Sequence, residues 1–196
     1  IRDRSGFLAA TRVNRVAAGP YGAPSRGRTD VLPTGRNFYS VDLRGLPTET
    51  AWDLGRRSAE QLLDLHLMDH GEPLRHLALS VWGTATMRNG GEDIAQLLAL
   101  IGVRPVWDGP TRRLTDLEVI PLTLLGRPRV DVVLRISGLF RDAFPQLVGW
   151  VEHAQRMVAS LDESQDDNPL AALTRMEGEQ PRIFGSAPGA YGCLLY

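Results

Sequence analysis

The segment from Val81 to Asp108 constrains the fold of this chain most. An apolar run, His76 to Trp82, leads into it and reads as a buried, central strand. A glycine-rich loop from Gly83 to Gly91 follows, and then a short helix from Glu92 whose Ile94, Leu97, Leu98 and Ile101 recur on one face. Gly102 stops that helix, and Arg104 to Trp107 starts the next strand. Strand, polar loop, helix and strand make the βαβ plan, and loops at strand carboxyl ends are where open α/β sheets bind ligands. This loop crowds Thr84, Thr86, Arg88, Asn89, Glu92 and Asp93 into a turn that a purely structural connection makes with far fewer polar groups.

The remaining pattern extends the same plan. Asn37 to Leu43 reads as a short strand, and Pro47-Thr48 caps a helix to about Met68 with Trp52, Ala59, Leu62, Leu63, His66 and Leu67 inward. Leu117 to Leu122 and Val130 to Ser137 read as strands, the second with the continuous apolar run of a strand covered on both faces. After Ser137-Gly138 comes a long helix that buries Phe144, Leu147, Val148, Val151, Val158 and Leu161, with Asp142 as N-cap and Pro145 in its first turn. An acidic break from Asp162 to Asn168 precedes a shorter helix, Pro169 to Met176. The expected fold is three-layer α/β, a largely parallel sheet flanked by helices in the Rossmann or flavodoxin manner. The expected divisions are a basic Gly/Pro-rich arm and loop over 1–36, an α/β core over 37–162, and a short helix with a Gly-rich terminal segment over 163–196.

Composition removes several functions. All 22 basic residues are arginine, so neither a Schiff-base lysine nor the lysine of an ATP-binding P-loop exists here. Cys193 is the one cysteine, which excludes an internal disulfide and a multi-cysteine zinc site, suits a reducing cytoplasm, and reads as structural. No apolar run approaches the ~20 residues needed to cross a bilayer, and no signal peptide is evident, so a cytoplasmic location without membrane contact is expected. Through Arg36 there are seven arginines against Asp3 and Asp30, a local charge of +5. No aromatic interleaving accompanies that charge, so nucleic acid is not expected as a partner.

The candidate chemistry gathers in the Val81–Asp108 segment. Arg88 offers a bidentate partner for a carboxylate, and Thr84 a hydroxyl. Gly90 and Gly91 allow backbone amides to approach a ligand, and Glu92 and Asp93 stand in the first helical turn, as general acid–base groups or as complements to the helix dipole. Arg36 and Asn37 close a Pro-Thr-Gly-Arg-Asn turn, where Arg36 either reaches a substrate carboxylate or caps a helix end. His66 and His70 have the spacing of a metal chelate but no obvious third ligand, so no metal site is expected. Ser137 to Asp142 follows a strand and opens a helix, which suits an anion weakly, and Gly185 to Gly192 reads as a backbone clamp or a simple turn. No His/Asp partners flank Ser186, against hydrolase chemistry.

Five segments in order carry a resemblance: Leu32 to Asn37, Val81 to Asp108, Glu118 to Leu122, Leu125 to Asp142, and Arg182 to Gly192. They resemble the large subunit of the aerobic cobaltochelatases and its relative, the porphyrin-binding H subunit of magnesium chelatase. The resemblance implies an internal piece of a much longer, tetrapyrrole-binding subunit, inactive as a chelatase when isolated. It implies Co²⁺ as substrate, inserted into hydrogenobyrinic acid a,c-diamide in aerobic cobalamin synthesis. ATP and Mg²⁺ are then used by separate AAA+ partner subunits, and the rest of the large subunit is itself a partner. Met87 to Ala95 looks closer to the cobalt enzymes, and Ala85 stands where the magnesium subunits have Asp after Trp-Gly-Thr. Magnesium insertion into protoporphyrin IX, or a scaffold segment that docks the ATPases, are the alternatives. The resemblance places metal handling in an upstream His- and Glu-bearing motif of the family that does not appear in this chain; the candidate catalytic groups within it are Glu92 and Asp93.

Overall fold

A computed structural model of the chain describes residues 42–187, together with 8, 9, 11, 12 and 32. Two compact units divide it, Ile1–Leu43 and Arg44–Tyr196. In the first, Leu8, Ala9 and Thr11 are helical. Arg36 and Asn37, with the strand expected through Leu43, fall almost wholly outside the described residues.

The second unit runs α1 (Glu49–His70), β1 (His76–Val81), α2 (Gly83–Asn89), α3 (Glu92–Ile101), β2 (Val103–Trp107), β3 (Leu114–Val119), α4 (Leu122–Leu125), β4 (Asp131–Ile136), α5 (Gly138–Ala143), α6 (Pro145–Ala159), α7 (Pro169–Glu177) and β5 (Ile183–Gly185). Its parallel sheet has the order β1-β4-β5. The α/β class expected from the sequence is what the structure shows, a mostly parallel sheet flanked by helices. The core is built from Val81, Val132, Leu134 and Ile136 of the sheet with Ile94, Leu97, Leu98 and Ile101 of α3 and Leu147, Val151 and Val158 of α6, all buried.

Four expectations need correction. Among the described strands β4 is the central one, while β1 is an edge strand whose His76, Ala78 and Ser80 are exposed. β2 does not continue the parallel sheet: it pairs antiparallel with β3, Val103 opposite Val119, because the short turn after Trp107 folds the chain straight back. The long helix α6 has Phe144, not Asp142, at its N-cap, and a separate short helix after β4 is capped by Ser137, its Oγ accepting the Phe140 N–H at 3.2 Å. That helix ends at Phe144, and Pro145 begins α6 because a proline at the first helical position loses no bond. Finally, α1 turns Ala51, Gly55 and Ala59 inward rather than its larger residues; of the face expected, only Ala59 is buried and Leu67 is exposed. A Cβ on Gly55 would stand 2.6 Å from the Gln96 N, so α1 and α3 meet almost backbone to backbone.

One buried cation joins these elements. The Arg129 side chain is 1% exposed and donates to the carbonyls of Ile101 (3.1 Å), Gly102 (3.0 Å) and Ile120 (2.8 Å). Its remaining donors meet both Glu163 oxygens, at 2.7 and 2.9 Å. Burial alone would raise the Glu163 carboxyl, but hydrogen bonds from Arg129 and Asn168 and the guanidinium charge outweigh it and hold the group below its ordinary value. Glu163→Gln should lower stability by about 3 kcal/mol in urea unfolding, the lower end for breaking a buried pair, since Glu163 keeps 14% exposure. A depressed carboxyl contributes its stability fully above the unfolded value and loses it as pH falls through the folded one. The difference between wild type and variant should therefore be constant near neutrality and shrink below about pH 4.5, the ordinary glutamate value.

Candidate functional site

The carboxyl end of the sheet is where β1 and β4 each release the chain into a helix. Ser137 binds the two starts together, since its Oγ accepts the Gly83 N–H as well as that of Phe140, both at 3.2 Å. Gly83 has to be glycine: a Cβ there would lie 2.9 Å from both the Leu139 side chain and the Phe140 N. The expected loop from Gly83 to Gly91 is helical as far as Asn89, because the Trp82 carbonyl accepts the Thr86 N–H (3.0 Å) and hydroxyl (3.1 Å), and the Gly90 N–H returns to Thr86 (3.1 Å). Only Gly90 and Gly91 form the turn, at φ 77° and 92°.

That turn is tightly made. The Asn89 Oδ1 accepts the N–H groups of Gly91 (3.0 Å) and Glu92 (3.3 Å), capping α3. The Thr48 N–H donates to the Gly90 carbonyl at 3.0 Å, and a Cβ on Gly91 would stand 3.2 Å from the Pro47 Cα. Close packing against Pro47-Thr48 and a left-handed backbone account for both glycines, and their amides are already donated within the corner. Asn89 was legible as polar but not as a cap, because its acceptors lie across a helix-to-helix turn that the loop reading did not contain.

The side chains are what the corner presents outward. Thr84 and Arg88 stand one helical turn apart on α2 and are both exposed. Glu92 and Asp93 open α3, each half-buried. Burial raises the Asp93 carboxyl above its ordinary value. Among the described residues the side chains of Arg88, Glu92 and Asp93 make no ion pair with one another or with a third group. His66 and His70 stack at 4.2 Å, the His70 Nδ1 lying 3.1 Å from the His66 carbonyl oxygen. Among the described residues no three His, Cys, Asp or Glu side chains are placed to share a metal ion. No helix among them is long and apolar enough to cross a membrane. The terminal Gly-rich segment is described only through Ala187; Cys193 lies beyond it.

Replacing Asn89 by Ala should cost about 1 kcal/mol through the lost cap, whereas Asn89→Asp, which keeps an acceptor at the helix start, should hold stability near wild type. Thermal unfolding of both variants checks this, and equal losses would show that the carboxamide matters for something other than capping.

The family model CobN/Magnesium Chelatase matches residues 3–195. The chain is 58% identical to the aerobic cobaltochelatase subunit CobN of Pseudomonas aeruginosa, over 95% of this chain and 16% of that protein. It is 36% identical to the chloroplastic magnesium-chelatase subunit ChlH of Oryza sativa subsp. japonica, over 90% of this chain and 13% of that protein. Among solved structures, the catalytic subunit of cobaltochelatase from Mycobacterium tuberculosis superposes with a TM-score of 0.77 at 48% identity, covering 97% of this chain and 17% of that one. The chain thus spans about a sixth of the length of these cobaltochelatase relatives.

Proposed function

The chain belongs to the CobN/magnesium chelatase family, and from that premise we propose that it is part of the tetrapyrrole-holding large subunit of an ATP-dependent cobaltochelatase. The substrates are Co²⁺ and hydrogenobyrinic acid a,c-diamide, and the product enters cobalamin synthesis. Cobalt rather than magnesium is supported by 58% identity to a cobaltochelatase subunit against 36% to a magnesium one. ATP hydrolysis, with its Mg²⁺, belongs to AAA+ partner subunits; a chain without a single lysine has no P-loop of its own. A cytoplasmic location fits this chemistry.

The observation that carries the site is the α2–α3 corner, where an arginine without an ion pair among the described residues and two carboxylates gather at the carboxyl end of β1. Metal insertion displaces the inner N–H protons of the ring, one in a corrin and two in a porphyrin, as the divalent cation binds. The site therefore has to hold the ring by its acidic side chains and accept what its centre releases. Arg88 supplies the first, pairing bidentately with a ring carboxylate, with Thr84 beside it. Glu92 and Asp93 supply the second, burial holding the Asp93 carboxyl above its ordinary value. Gly90 and Gly91 are the turn that sets the corner.

In the full-length subunit, Arg88→Ala should weaken tetrapyrrole binding by about 1.5–3 kcal/mol, the loss for a hydrogen bond to a charged group. Glu92→Gln should lower turnover more than binding, because the proton is taken only during reaction. Fluorescence titration and steady-state rates separate the two effects. Wild-type affinity and turnover in both variants, after correction for folded fraction, would remove the corner from the site and favour a scaffold role.

A further inference from the structure

The strand register sorts the parallel sheet into two faces. Leu77, Leu79 and Val81 of β1 align with Val132, Leu134 and Ile136 of β4, and Ile183 of β5 aligns with Leu134. This face is the buried one, covered by α3 and by α6, whose Gln155 side chain donates to the Val132 carbonyl at 2.9 Å. The opposite face carries Ala78 and Ser80 of β1, Val133 and Arg135 of β4, and Phe184 of β5. Ala78, Ser80 and Arg135 are exposed, and Phe184 is 50% exposed.

That exposure is at odds with the sheet type. Antiparallel sheets often leave one face in water, but parallel sheets occur almost only with both faces covered. An aromatic side chain and a central-strand arginine on the same open face mark a surface made for burial against something. Arg135 makes no ion pair or side-chain hydrogen bond among the described residues, so whatever covers it has to bring a carboxylate.

Two occupants compete. A second copy packed face to face would set Arg135 of the central strand near its own image, opposing like charges at the middle of the contact. The longer subunit has no such conflict. This chain covers 16% of the Pseudomonas relative and 17% of the solved mycobacterial subunit, so most of each polypeptide lies outside the matched part. We propose that the open face of the β1-β4-β5 sheet is covered, in the full-length subunit, by a helical segment of that same longer chain, which sets an Asp or Glu against Arg135. The small side chains of Ala78, Ser80 and Val133 allow a helix to lie close over the centre, with Phe184 packed along its side.

Thiol labelling of the full-length subunit tests this, at concentrations where sedimentation shows one copy and with neither ATPase partners nor tetrapyrrole present. Ala78→Cys and, separately, Ser80→Cys are alkylated and read peptide by peptide by mass spectrometry. Both should react on the order of 100-fold more slowly in the native protein than in urea, as for a site opened only by local unfolding. Adding Arg135→Glu to Ala78→Cys should raise the native rate at least about tenfold, while Arg135→Lys should leave it nearly unchanged, as expected when a facing carboxylate is repelled or retained. Native rates within about threefold of the unfolded ones would overturn the proposal. So would protection that appears only on dimerisation or on adding ATPase subunits or tetrapyrrole, each naming a different occupant. Protection indifferent to Arg135→Glu would overturn the acidic partner.

Discussion

The buried guanidinium of Arg129 is the interaction on which the rest of the unit depends. Taking an arginine to 1% exposure costs several kcal/mol unless every donor finds an acceptor. Here all five do: two carbonyls at the end of α3, one just after β3, and both oxygens of Glu163. The arrangement also needs Gly102 to be glycine. Its φ of 77° ends α3, and a Cβ there would fall 2.3 Å from an Arg129 nitrogen. Helix end, hairpin end and the α6–α7 connection are therefore registered to one planar group, and none can shift without leaving a charge unsatisfied.

The consequence reaches the candidate site through α3. Arg129 holds the carboxyl end of that helix, with Arg127 donating to the Ala99 and Leu100 carbonyls beside it. Along its length α1 packs close through Gly55, and at its start Asn89 caps it while Pro47-Thr48 press on Gly90 and Gly91. A ten-residue helix held at both ends is a rigid mount, so Glu92 and Asp93 keep their positions without any direct support from an ion pair. The other side of the corner is fixed independently, by the Ser137 hydroxyl that clamps the starts of α2 and α5. A bidentate Arg182–Asp131 pair, at 2.9 and 3.1 Å, ties β5 to the start of β4 in the same manner.

What was legible in the sequence follows the range of the forces involved. Local signals were read correctly: Thr48 caps α1, Pro145 opens α6 and Pro169 opens α7. Pairing was not: β1 takes its partner β4 from far along the chain, which leaves β2 to fold back on its neighbour β3. The alternation in β2, with Val103 and Pro105 buried and Arg104 and Val106 exposed, together with the Asp108-Gly109-Pro110 turn, was the available hint of a hairpin. The polar wording of Gly83 to Gly91 pointed to a loop because Thr and Asn favour turns; tertiary closure by Ser137 and Thr48 made most of it helix. Arg129 left no trace at all, since its acceptors come from three separated stretches, Ile101-Gly102, Ile120 and Glu163.

The way the corner uses its backbone bears on what it can recognise. A phosphate site at a helix start works through free amides aimed at the anion. Here the Gly90 amide is donated to Thr86, and those of Gly91 and Glu92 to Asn89. A ligand at this corner therefore meets side chains: a hydroxyl, a guanidinium and two carboxylates. Such a set discriminates by charge pattern over a wide surface rather than by a compact anion, and its two signs of charge suit different parts of one molecule. On the proposed reading, a ring with acidic arms at its rim and exchangeable protons at its centre would offer the rim to Arg88 and the centre to Glu92 and Asp93.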